Sequence, residues 1–64
     1  MLKLKIIRIE KGIKQKDLAA RCNMRQATIS DIENGRIKNP RIDTLRAIAK
    51  ELGVPLEAFY NSAA

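Results

Sequence analysis

The chain has 64 residues, with 13 lysines and arginines against 7 acids, a formal net charge of +6 and a sequence pI near 10.0. This is one domain at most, near the lower limit at which a chain buries a core without metal or disulfide help, which argues against a catalytic cleft. One cysteine and no histidine exclude an intramolecular disulfide and a zinc site of the usual ligand set, and fit a reducing, cytoplasmic setting without metal or cofactor.

The basic excess favours a polyanion, either nucleic acid or an anionic membrane, and charge alone does not choose between them. The opening "MLKLKIIRIE" is basic and apolar like the start of a signal peptide, but Lys3, Lys5, Arg8 and Glu10 interrupt any apolar run. No segment reaches transmembrane length. There is no internal repeat, low-complexity tract or linker, and the chain divides into a domain over residues 1–60 and a fraying "NSAA" tail over 61–64.

Five helices are expected, over residues 2–11, 15–22, 26–34, 43–52 and 56–60, because the β-branched residues recur at helical spacing and Gly12, Gly35 and Gly53 act as stops. The first helix carries two apolar stripes, Leu4 with Ile7, and Leu2 with Ile6 and Ile9. One stripe faces the core and the other is expected to pack on the terminal "LEAFY"; the alternative makes Leu2, Ile6 and Ile9 an interface with another chain. The second helix buries Leu18, Ala19 and Cys22, and the small Ala19 lets a neighbouring helix come close. The turn "CNMR" follows, with Asn23 suited to a left-handed conformation and Met24 plugging the corner.

In "RQATISDIENG", Ile29, Ile32 and Glu33 share one face at about 100° per residue. Ala27, Ser30, Asp31 and Asn34 share the opposite face, with Gln26 at the leading tip. That face is small and polar, a poor core surface and a good one for hydrogen bonding. The fourth helix turns Leu45, Ile48, Ala49 and Leu52 inward, and "GVP" stops it. The whole reads as an all-α, compact five-helix bundle.

Two helices joined by a short turn, the second polar outward, form a helix-turn-helix over residues 15–34. With "G" at 12, "Q" at 15, "LA" at 18 and 19, "TIS" at 28 to 30, "IENG" at 32 to 35, "P" at 40, "TL" at 44 and 45 and "LGV" at 52 to 54, the sequence resembles the phage repressor and Cro-like (XRE-type) helix-turn-helix family of bacterial and phage regulators. The likeness spans nearly the whole chain in register. It implies a lambda-repressor-like domain whose third helix enters the major groove of double-stranded DNA, acting as a dimer on a palindromic operator, as a transcription regulator and most simply a repressor.

By the same resemblance, residues at the leading end of the third helix face bases. Gln26 can address adenine bidentately, the methyls of Ala27 and Thr28 can touch thymine, and Asp31 can accept from cytosine or pair with a base-reading cation. Gln15 and Ser30 are assigned to phosphate, together with Arg36, Lys38, Asn39 and Arg41 of the loop "RIKNPR", which Pro40 stiffens. Arg8 and Glu33 are implied to form an ion pair that orients the first helix against the third. The pairing surface is implied near Val54 and Leu56. The chain departs from the family where Lys14, Arg25 and Arg41 stand at positions that often hold Ser, Thr or Asn before a helix. Losing such a cap costs about 0.5 to 2 kcal/mol, so Lys14 and Arg25 are expected to exchange capping for phosphate contact, or Arg25 for a guanine edge.

The competing class is a protein-interaction or antitoxin-like adaptor that keeps the fold. A membrane-active helix fits poorly with paired stops and a turn. An enzyme fits least, for want of histidine, an acid-base pair or a glycine-rich phosphate loop.

Overall fold

The computed structural model describes residues 2–60, and the 61–64 tail lies outside them. Among the described residues there are four α-helices, α1 (Leu4–Glu10), α2 (Gln15–Arg21), α3 (Gln26–Glu33) and α4 (Ile42–Leu52), and no strand. The fifth element is a single 3-10 turn, η1 (Leu56–Phe59), and not a fifth α-helix. Pro55 precedes it, and the bonds that join it to its flanking residues are Ala58 N–H to the Pro55 carbonyl and Tyr60 N–H to the Glu57 carbonyl, both 3.0 Å. Phe59 of this segment closes the core, and the donors take the tighter i to i−3 pattern in place of α-helical bonds.

The first helix is also shorter than its apolar pattern implies. Its first bond is Ile7 N–H to the Lys3 carbonyl at 3.0 Å, and Lys3 donates its own N–H to the Phe59 carbonyl at 2.9 Å. The start of the chain is thereby tied to η1 instead of extending α1. No capping side chain is present at Lys3 to begin the helix earlier.

The core consists of Leu4, Leu18, Ala19, Ile29, Ile32, Leu45, Ile48, Ala49, Leu52 and Phe59. All four apolar positions read on α4 lie in it, as do Ile29 and Ile32 of α3. Truncating a buried leucine or isoleucine here to alanine is expected to cost about 2 to 5 kcal/mol. Helix α2 packs mainly on α3 and α4 on both α2 and η1, so α3 is held from behind. On α1, Leu4 is buried and Ile7 and Leu2 are partly buried, but Ile6 and Ile9 are 58% and 57% exposed. The expected packing of that second stripe on "LEAFY" is not formed at Ile6 and Ile9, which lie within α1 but face solvent. Cys22 is only half-buried; its Sγ lies 4.0 Å from the Ala47 carbonyl, and burial, with Glu51 adding, pushes its thiol pKa up.

The four α-helices end in one way. A residue in the left-handed region, Gly12, Asn23, Gly35 or Gly53, donates its N–H three residues back, and the next residue donates five residues back. The bonds are Gly12 to Ile9 and Ile13 to Arg8, Asn23 to Ala20 and Met24 to Ala19, Gly35 to Ile32 and Arg36 to Asp31, and Gly53 to Lys50 and Val54 to Ala49. This is the Schellman stop, in which the residue after the left-handed one usually brings an apolar side chain back onto the helix. Ile13, Met24 and Val54 do so, each packing against the core. After α3 that position holds Arg36.

Candidate nucleic-acid interface

The polar side of α3 is presented to solvent because the opposite side is anchored by charge as well as by the two isoleucines. Arg8 donates from Nε to Glu33 Oε2 at 2.6 Å and from Nη2 to Oε1 at 3.1 Å. The guanidinium side chain is 10% exposed and the carboxylate side chain 0%. Nη1 of Arg8 donates to the Ile13 carbonyl at 2.8 Å, and Gln15 Nε2 donates to Glu33 Oε1 at 2.8 Å. No buried side-chain polar atom among the described residues lacks a partner. Such a pair adds little net stability but makes removal of one partner costly.

The network continues outward. Gln15 Oε1 accepts from Gln26 Nε2 at 3.4 Å, a long contact that lines up Arg8, Glu33, Gln15 and Gln26 from the interior to the tip of α3. Gln26 and Ala27 are exposed and Thr28 half-buried. Ser30, half-buried, accepts from Asn34 Nδ2 at 3.1 Å. Asp31 accepts from Arg36 Nη1 at 3.3 Å, with the two side chains 37% and 72% exposed.

The cations expected to flank this face are all exposed. Lys14 and Arg25 stand immediately before α2 and α3 in extended conformations, and Arg41 before α4; none makes a side-chain cap. The first-turn N–H groups of three helices are therefore left without a side-chain acceptor, an unfavourable arrangement in isolation. Lys38 and Asn39 are exposed in the loop between α3 and α4, and Pro40 is half-buried. Val54 and Leu56 are half-buried, and Ile42 and Tyr60 are exposed.

Sequence reasoning missed Gln15 as a partner of Glu33 and left the cation that Asp31 could pair with unnamed. Gln15 to Glu33 joins residues 18 apart, which no local pattern announces. Asp31 to Arg36 spans five positions, and its signal lies in the stop itself, since a glycine in the left-handed region brings the residues on either side of it together. Among the described residues no helix is long and apolar enough to cross a membrane, and no cluster of three potential metal ligands occurs.

Two helices set across a left-handed Asn23, with a pinned rear face and a hydrogen-bonding front, coincide with a sequence profile: that of the helix-turn-helix family matches residues 4–59. The chain belongs to the phage repressor and Cro-like helix-turn-helix family. It is 38% identical over 59 residues to an immunity repressor protein of Bacillus phage phi105, covering 92% of this chain and 40% of that protein. It is 42% identical over 48 residues to an uncharacterized HTH-type transcriptional regulator, y4dJ, of Sinorhizobium fredii, covering 75% of this chain and 61% of that protein. The helix-turn-helix chain thus spans less than two thirds of the length of both relatives.

Proposed function

We propose that this chain is the DNA-binding domain of a transcription regulator, a repressor in the simplest reading, which inserts α3 into the major groove of a palindromic operator. The observation that carries the reading is the front of α3: exposed Gln26 and Ala27 with Thr28 behind them, anchored from the rear by the Arg8 to Glu33 pair and flanked by exposed cations. Gln26, Ala27, Thr28 and Arg25 are the base-facing residues of this reading. Lys14, Gln15, Ser30, Lys38, Asn39 and Arg41 face phosphates, which orient the protein without carrying sequence information. The uncapped starts of α2 and α3 also fit a phosphate partner, because bare N–H groups at a helix start favour an anion. Names of relatives, one an immunity repressor and the other a transcriptional regulator, agree with it. No enzymatic step is part of this reading.

A dimer on DNA is part of this reading, since one small domain covers one half-site and two copies about 34 Å apart read two. Val54 and Leu56 are the proposed pairing surface. Selection of bound sequences from random duplex DNA tests the reading. An enriched palindrome with half-sites one turn apart is expected. A single enriched half-site would remove the dimer and keep the DNA reading, whereas no enrichment would favour a protein-interaction adaptor. Sedimentation of folded Leu56→Lys and Ile6→Lys separates the two candidate surfaces; loss of the dimer with Ile6→Lys alone overturns the assignment to Leu56.

A further inference from the structure

We infer that Arg36 reads a guanine edge, and that Asp31 is the residue that aims it. The inference rests on the DNA reading above and replaces a phosphate role for Arg36 and a direct base contact for Asp31.

The helix stops lead to it. Three of the four bring an apolar side chain, Ile13, Met24 or Val54, back onto the core. The stop after α3 has the same backbone bonds, Gly35 N–H to the Ile32 carbonyl at 3.3 Å and Arg36 N–H to the Asp31 carbonyl at 2.9 Å. Gly35, at φ 77°, supplies the left-handed turn. In this stop, however, the two facing positions hold a cation and an anion that are both accessible, so the device is not used to bury anything. It places the Arg36 backbone directly beside Asp31, which stands one turn after Ala27 on the front of α3. A further bond, Ile37 N–H to the same Asp31 carbonyl at 3.2 Å, holds the segment in place.

The pair is too exposed to be a stabilising device. Its effect is geometric. Asp31 accepts from Nη1 of the guanidinium, which ties the Arg36 side chain to a residue on the front of α3. Neither Nε nor Nη2 makes a hydrogen bond within the described residues, and these donors form the planar edge that matches O6 and N7 of guanine. Exclusion of water on docking would strengthen the pairing with Asp31. The arrangement also accounts for an acid on a surface meant for phosphates: its charge is spent on Arg36.

The test uses the operator selected for the wild-type chain, its single-base variants and a duplex of unrelated sequence, at one salt concentration. Arg36→Ala is expected to lose roughly 5- to 150-fold at one G·C pair per half-site, the range of a good bidentate pair, with little change at other positions. Arg36→Lys is expected to retain binding to the unrelated duplex and to lose discrimination at that same pair, because an ammonium keeps the charge without the planar fork. Asp31→Ala is expected to relax that pair too, while binding the unrelated duplex no more weakly than wild type. Replacing that guanine by 7-deazaguanine should weaken wild type and leave Arg36→Ala unaffected. Uniform loss on all duplexes for Arg36→Ala, restored by Arg36→Lys, would make Arg36 a phosphate contact and overturn the inference. Relaxation by Asp31→Ala at a different base pair would overturn the aiming role. Failure of the wild-type chain to select any sequence would instead overturn the DNA reading, and this inference with it.

Discussion

Glu33 and Asp31 are two positions apart on α3 and have opposite fates. Glu33 faces inward, its carboxylate fully buried and held by two donors from Arg8 and one from Gln15. Asp31 faces outward with a single, longer bond to an arginine that is mostly in water. Burial makes the first pair a joint between helices that cannot be altered on one side only. Exposure leaves the second pair nearly free of consequence for folding. The rear of α3 therefore carries the geometry of the domain and the front is open to change, a division that lets one scaffold present different polar surfaces.

The sharpest way to break this contrast is at Arg8. Arg8→Met leaves Glu33 buried with only Gln15 as a partner and is expected to cost about 3 to 5 kcal/mol, a large share of what so small a domain has. Arg8→Met combined with Glu33→Leu should recover much of the loss in denaturant melts; additive losses would show that the two charges act independently. The next effect is at the tip. Gln26→Ala should cost about 1 to 3 kcal/mol on the preferred operator, concentrated at one base pair, with a change in stability measured by melting of no more than about 0.5 kcal/mol. Equal weakening on every duplex would show that Gln26 is no base reader.

Lys38→Ala should do the reverse, weakening all duplexes alike and flattening the slope of log affinity against log salt by about 0.9; an unchanged slope removes Lys38 from the footprint. Smallest of all is the folding effect of Asp31→Ala, expected to shift stability by no more than about 0.5 kcal/mol. A loss of several kcal/mol in its melting curve would mean that front and rear of α3 are not separable.

What the residues disclosed depended on distance along the chain. The inward faces of α3 and α4 were legible because Ile29, Ile32, Leu45, Ile48, Ala49 and Leu52 recur at the helical period, and the stops because Gly and Asn suit a left-handed turn. On α1 the same rule misled. Leu2 and Ile6 lie on a helical stripe, yet the backbone at Lys3 is taken by Phe59, 56 positions away in sequence, and the helix starts at Leu4. The last element was legible in place but not in kind: the segment between Pro55 and Tyr60 is a 3-10 helix, and in so short a piece an apolar pattern does not separate the two helix types. At the candidate interface, exposure of Gln26 and the flanking cations followed from polarity. The bonding of Gln15 to Glu33 and of Arg36 to Asp31 did not, because each depends on how the chain folds back.

The repeated helix stop has a consequence for how the chain acquires its structure. Each stop is closed by bonds between residues three and five apart, so every helix boundary can be sampled before any tertiary contact exists. Apart from core packing, only a few hydrogen bonds among the described residues join distant parts, including Lys3 to Phe59 and Arg8 to Glu33. Chains dominated by local contacts fold in microseconds to milliseconds, since little loop entropy is lost before contacts are gained. Both of those connections come from α1 and the residue before it, so removing the Arg8 guanidinium is expected to slow refolding if α1 has docked at the barrier and to speed unfolding if it has not, which refolding and unfolding rates of Arg8→Met measure.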